Sequence, residues 1–180
     1  MIMEKSGREA RKKKVIEALN RARAMELMAI GQYMNQHYNL DDMDYGDLAA
    51  KVKLIAIDEM RHAEMFAERV KELGGEPTVE PEGGVTKGQK VDAIFPFNTK
   101  LEDDTIDSYN QFIQVCLENG DAISMKLFET IVDEEQVHLN YFSNVSDHIK
   151  TLGAAYLSQI AGTPADVGPP SKGFVNSQAE

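Results

Sequence analysis

Apolar positions along this chain recur with a helical period over four long stretches, and no stretch of useful length alternates in the two-residue period of a strand. From about Gly7 to Tyr38, Val15, Leu19, Ala22, Ile30 and Tyr33 share one face, with Glu26 set into it and Gly31 as the break in composition. The polar run Asn39 to Tyr45 predicts a turn. A second helix follows from about Tyr45 to Leu73. Its interior is built of Ala, Leu, Met, Glu and Lys, all good helix formers, and Gly74-Gly75 closes it. Asn98 or Thr99 is the expected cap of a third helix running to about Glu118, where Asn119-Gly120 breaks it. Asp121 caps a fourth helix to about Thr151, which Gly153 ends. Ala154 to Ala161 predicts a short fifth helix.

The intervening stretch from Glu76 to Phe97 differs. Pro77, Pro81, Gly83, Gly84, Gly88 and Pro96 forbid a long helix there. About twenty residues is long for a loop in a compact domain. A four-helix bundle accommodates it as a crossover that lets helices 2 and 3 run parallel. The expectation is an all-α chain, with one helical domain over residues 1–162. Residues 1–6 are read as frayed, and the Pro/Gly/Ser-rich residues 163–180 as a disordered tail.

A repeated spelling runs through this pattern. Ile55, Glu59, His62 and Phe66 recur as Ile131, Glu135, His138 and Phe142, both I-x3-E-x2-H-x3-F. Offsets of 4, 7 and 11 fall on one helix face, so each copy sets a carboxylate and an imidazole into an apolar stripe. The repeat extends further. Glu26 precedes Glu59 by 33 residues, as Glu102 precedes Glu135, and Tyr33 and Tyr109 each follow their Glu by seven. The chain is therefore two similar helical hairpins. Glu26 lies ~18 Å from the end of its helix and Glu59 ~21 Å from the start of the next; the second hairpin gives ~24 and ~21 Å. All six groups (Glu26, Glu59, His62, Glu102, Glu135, His138) come out at one depth.

One E-x-x-H on a helix signifies little by itself. Two copies, each with a Glu at the same upstream spacing, call for a shared explanation, because burying such groups unpaired is costly. Four carboxylates and two imidazoles suit two divalent iron or manganese ions. Zinc structural sites prefer thiolates and single tetrahedral centres. Tyr33 is the candidate catalytic residue, as a redox or hydrogen-bonding neighbour of the metals, against the plainer reading of a Tyr packing on a core face. Tyr109, at the matching position, is the weaker candidate.

Composition narrows the partners. The 180 residues carry a formal net charge of −11, which disfavours nucleic acid and favours cations. The basic cluster Arg8, Arg11, Lys12, Lys13 and Lys14 reads as a solvated first turn near Glu4 and Glu9. A lone cysteine, Cys116, excludes an internal disulfide and a C-x-x-C site, and reads as a buried small apolar residue. No apolar region follows the basic start, and no segment approaches a membrane span. The expected location is the cytoplasm.

These residues resemble the ferritin-like superfamily, and the bacterioferritins within it. The segments AMELMAIGQY (24–33), IDEMRHAE (57–64) and DEEQVH (133–138) look like that family's ferroxidase motifs. One Glu from each of two helices plus Glu-x-x-His from each of the other two is the ligand set of ferritin-like carboxylate bundles. The likeness spans roughly residues 10–160. It implies a ferritin-like four-helix bundle with a long crossover and a short fifth helix, assembled as a homo-oligomeric cage of 24 subunits. It also implies Fe(II) oxidation by O2 or H2O2 at a dinuclear iron centre within each subunit, with ferric mineral stored inside. Glu59 and Glu135 would bridge the two iron ions, Glu26 and His62 completing one position and Glu102 and His138 the other. A small redox protein is the expected electron donor.

Met60 carries a second implication. It follows Glu59 directly, so it is rotated about 100° from the ligand face. In the family the methionine at this place ligates haem iron, one from each of two subunits clasping a porphyrin. The alternative is an ordinary helix Met filling an interface. The matching position in the second copy is Gln136, so the repeat breaks its symmetry here. Leu27, Gly31 and Met34 form a strip that would flank the porphyrin or admit a partner helix. One residue departs from the family pattern. Leu54 stands where some members carry a histidine of an inner-surface iron site, although its companion Asp58 is present.

Rival readings are a rubrerythrin-like diiron peroxidase or oxidase, a DNA-protecting mini-ferritin, and a metal-free helical module. The first lacks its rubredoxin-type cysteine pair. The second builds its site between subunits, whereas one chain here supplies six ligands. The doubled spacing argues against the third.

Overall fold

The structure, a computed structural model, describes residues 2–165 and 173–177, with side chains from residue 7 onward. Its elements are α1 (Ile2–Asp42), α2 (Gly46–Glu72), α3 (Val91–Glu118), α4 (Ala122–Leu152), α5 (Ala154–Ile160) and α6 (Phe174–Ser177). α1 packs along α2, and α3 along α4, so two helical hairpins lie side by side and meet through α1 against α3 and α2 against α4. This is a four-helix bundle with a long crossover, and the described residues are all-α as the periodicity predicts.

Local chemistry sets the helix ends. α1 runs four residues past Tyr38 and closes with the Tyr45 N–H on the Leu40 carbonyl (2.9 Å) and the Asp44 N–H on the Asp41 carbonyl (2.9 Å). Asp44 takes the left-handed residue at φ 65°, a place a short polar side chain tolerates. α2 closes the same way on Gly74, at φ 78°, and α3 on Gly120, at φ 71°. Asp121 caps α4, accepting from the Ser124 N–H at 3.0 Å.

The crossover runs alongside α1 in α1's own direction. Asn20 pairs with Thr78 and Glu76, the Glu82 N–H donates to the Ala24 carbonyl (2.8 Å), the Gln32 amide bonds both the backbone N–H and the carbonyl of Thr86, and Gln36 reaches Gln89. The chain is thus returned to the start of α2 before α3 begins, which makes α2 and α3 parallel. Gly31 belongs to this seam rather than to an external partner: a Cβ there would lie 3.1 Å from Val85 of the crossover.

Two expectations are corrected at the crossover's end. α3 starts at Val91, not at Asn98 or Thr99. Pro96, six residues into α3, faces solvent, so the carbonyl left without its donor at Asp92 is on the exposed side. Asn98 is no cap. It is fully buried inside α3, and its amide exchanges hydrogen bonds of 2.7 and 2.9 Å with Gln36 on α1.

Residues 166–172 and 178–180 of the expected tail lie outside the described residues. Residues 173–177 do not follow the disorder expectation: α6 packs on α2 and α4, with Phe174 buried. Residues 163–165 cross the start of α2 so closely that a Cβ on Gly46 would lie 2.0 Å from the Thr163 carbonyl oxygen.

The core is split in two. One apolar cluster gathers Leu40, Leu48, Ile55, Ile94, Phe95 and Phe142; the other gathers Val15, Leu19, Phe66, Tyr109, Phe128 and Ile131. Between them lies a layer of buried polar side chains.

Candidate metal centre

That layer consists of the six groups the spacing singled out. Glu26 comes from α1, Glu59 and His62 from α2, Glu102 from α3, Glu135 and His138 from α4, and none is more than 2% exposed. They form two overlapping groups, Glu26-Glu59-His62-Glu135 and Glu59-Glu102-Glu135-His138, whose ligand atoms lie within 4.8 Å of one another. Glu59 and Glu135 belong to both. The Nδ1 of His62 faces them at 2.9 and 3.1 Å, and the Nδ1 of His138 at 3.3 and 3.1 Å. The two rings stand 6.0 Å apart.

The surroundings repeat the twofold. Tyr109 donates its hydroxyl proton to Glu26, and Tyr33 donates to Glu102, each tyrosine serving the other hairpin. The far imidazole nitrogens also cross over: His138 Nε2 lies 3.3 Å from Asp58, and His62 Nε2 3.1 Å from Glu134. A carboxylate behind a ligating histidine fixes ring orientation and tautomer and raises ligand basicity. Asp58 and Glu134 were missed as members of the centre by sequence reasoning. The signal was present, since each directly precedes the Glu of an E-x-x-H copy. Asp58 is fully buried behind His138, and Leu54 is buried in the core, so this pair forms no open surface site.

The electrostatics are those of a site built to be filled. Burial, then the charges of Glu135 and Glu59, push the Glu26 and Glu102 carboxyls well above the ordinary range. Burial also opposes charge on the imidazoles, but the neighbouring carboxylates outweigh it, Glu135 chiefly at His62 and Glu59 at His138, and both rings are held well above their ordinary value. Burial likewise opposes charge on Glu135, yet the His62 charge and bonds from both imidazoles hold its pKa down. Its Oε1 is buried, with the His62 Nδ1 beside it at 3.1 Å. Divalent cations bound here would displace protons from the raised groups.

The donor set fits two oxygen- and nitrogen-ligated divalent ions. Cys116 is no competitor: it lies in the second apolar cluster, and burial pushes its thiol up to about 12. A cavity of about 200 Å³ reaches the carboxylates between α1 and α3, with Glu82 of the crossover and Asp104 of α3 among its lining. Met60 lies on the opposite side of the ligand face, 44% exposed, in a shallow groove with Leu27, Ile30, Ala63 and Ala67.

Comparison with known proteins identifies the family. The family model of the ferritin-like domain matches residues 16–152. The bacterioferritin of Desulfovibrio desulfuricans is 63% identical over 170 residues, 94% of this chain and 95% of that one. The bacterioferritin of Brucella melitensis is 31% identical over 85% of this chain and 95% of its own. Among solved structures, the X-ray structure of the D. desulfuricans bacterioferritin, with its diiron site in different catalytic states, superposes with a TM-score of 0.89 over 93% of this chain and 98% of that one. Mycobacterium tuberculosis bacterioferritin BfrA, 31% identical, gives 0.77 over 82% and 93%. With relatives this similar over nearly the whole length and a family match spanning most of the bundle, the chain belongs to the bacterioferritins of the ferritin-like family.

Proposed function

We propose that this bacterioferritin oxidises Fe(II) with O2 or H2O2 at the Glu26-Glu59-His62-Glu102-Glu135-His138 centre and stores the ferric product inside a 24-subunit cage in the cytoplasm. The observation that carries the reading is the pair of four-residue groups sharing Glu59 and Glu135. The relative's diiron site supports it. Fe(II) is the substrate here. A bound pair supplies two electrons, the number that turns H2O2 into two waters or O2 into H2O2.

The chain's own residues do the rest. The lining of the 200 Å³ cavity, with Glu82 and Asp104, draws cations toward the carboxylates. Glu26 and His62 hold one position, Glu102 and His138 the other, and Glu59 and Glu135 serve both. Asp58 and Glu134 take the proton side of the imidazoles so that each Nδ1 faces inward. Tyr33 and Tyr109 hold Glu102 and Glu26, with Tyr33 also the candidate redox neighbour.

Met60 is the residue we assign to haem. The donor and the groove suit a porphyrin: an exposed thioether stands among Leu27, Ile30, Ala63 and Ala67, with Arg23 and Glu64 also lining the groove, and one such shallow face needs a second copy to enclose the ring. The Met60 thioether would hold the haem as a soft ligand, and the haem would supply a raised potential suited to electron transfer from a small redox protein for iron release. The function is tested by adding Fe(II) to metal-free protein and following oxidation, iron retention and particle size together. A monomeric product that retains no iron would exclude storage.

A further inference from the structure

The centre's pseudo-twofold symmetry fails at one place. Behind His62, Glu134 is 27% exposed on its side chain. Behind His138, Asp58 is covered by the chain's own C-terminal segment. The Val175 N–H donates to Asp58 Oδ2 at 2.9 Å. Phe174 is buried, its ring 6.2 Å from that of His138 and 4.8 Å from that of Tyr141, with Lys51 over it at 5.8 Å. Asn176, with its amide oxygen toward Arg61, accepts from that guanidinium at 2.7 Å, and Arg61 in turn donates to Asp58 at 3.1 Å. Gly173 passes so close that a Cβ on it would lie 1.7 Å from Asp58 Oδ1.

We infer that residues 173–177 are a positioning segment of the metal centre, which locks Asp58 against His138, closes the α2–α4 side, and so makes the two metal positions unequal. This rests on the proposed metal-binding reading of the six-residue cluster. The Glu102-His138 position is the one braced and covered, and exchanges its ion slowly. The Glu26-His62 position has only Glu134 behind it, with no chain segment over it among the described residues, and exchanges faster. Both remain open to the cavity between α1 and α3.

The test uses the full chain loaded with Co(II), whose absorption reports its ligands, and follows Co(II) loss to excess EDTA. Gly173→Ala places a methyl against Asp58, and Phe174→Ala empties the apolar seat; neither replaces any of the six ligands. The unaltered chain should release Co(II) in two phases. In both variants the slow phase should accelerate about tenfold or more, the usual scale for losing a ligand's supporting partner, with the fast phase unchanged. Amide exchange at Val175, protected in the unaltered metal-free chain, should become fast in Gly173→Ala. A single release phase in the unaltered chain, a slow phase unmoved in either variant, or both phases accelerating together would overturn the inference. Failure of the unaltered chain to bind Co(II) at all would overturn the metal-centre reading with it, which separates the two failures.

Discussion

Tyr109 on α3 donates its hydroxyl proton to Glu26 on α1, and Tyr33 on α1 returns the same bond to Glu102 on α3. Each hairpin thus holds the outer carboxylate of the other. Both phenols are fully buried, and burial together with the neighbouring carboxylates pushes their pKa up, so they remain donors. Replacing either by Phe strands a buried carboxyl oxygen, at about 1–3 kcal/mol. Tyr33→Phe and Tyr109→Phe should therefore lower the unfolding free energy of metal-free protein by similar amounts in urea. If Tyr33 is a redox neighbour as well, Tyr33→Phe should slow Fe(II) oxidation more than Tyr109→Phe does; equal slowing would reduce it to positioning.

The pH dependence of metal-free stability has a definite sign. Glu26 and Glu102 are raised from an ordinary value of 4.5, and His62 and His138 from 6.5. A group raised by folding contributes stability that is complete below its unfolded value and lost as pH climbs through its folded value. Glu135 and Asp58, which are lowered, act oppositely, and their contributions fade only as pH falls below the ordinary carboxylate range. Between about pH 6 and 8 the raised groups dominate, and metal-free protein should lose stability as pH rises. Bound cations replace the same protons, so the gain in Tm on adding Mn(II) should grow over this range, with proton release measurable in weak buffer. A gain that shrinks toward pH 8 would contradict the assignment.

Glu134→Gln should weaken divalent-metal affinity about 10- to 100-fold while leaving all six ligands in place. Competition with a coloured chelator measures it. An unchanged affinity would mean that the 3.1 Å contact to His62 does not orient the ring.

With haem held at Met60 as proposed, the purified protein should show haem absorption and Met60→Leu should abolish it, with Fe(II) oxidation and metal-free stability near those of the unaltered chain, because the side chain is 44% exposed. Haem retained in Met60→Leu would contradict the assignment of Met60.

Much of this architecture was legible in the residues because chemistry and period coincide there. The 33-residue spacing and the E-x-x-H offsets place six polar groups on inward faces, and the six meet. Asp58 and Glu134 were harder to see: one step along the helix from a ligand, they leave its stripe, and only the packing of the opposite hairpin brings the far histidine to them. Asn98 looked like a cap because its buried partner, Gln36, is 62 residues away. Pro96 looked like a barrier because its exposed side could not be known from order alone. The segment 173–177 has the composition of a loose tail, yet Phe174 finds a seat between α2 and α4 that no local pattern announces.

As proposed, one chain holds two iron ions on six side chains, with Glu59 and Glu135 common to both positions, and oxidises them as a pair. The most direct measurement is a titration of metal-free protein with Fe(II) under O2 or H2O2, monitoring the fast oxidation phase in the unaltered chain and in Glu59→Ala and Glu135→Ala. The account predicts a fast phase saturating near two Fe(II) per chain and abolished in both variants, since each removes a carboxylate common to both positions. A fast phase that persists at full rate in both variants, or saturates at one Fe(II) per chain, would contradict it.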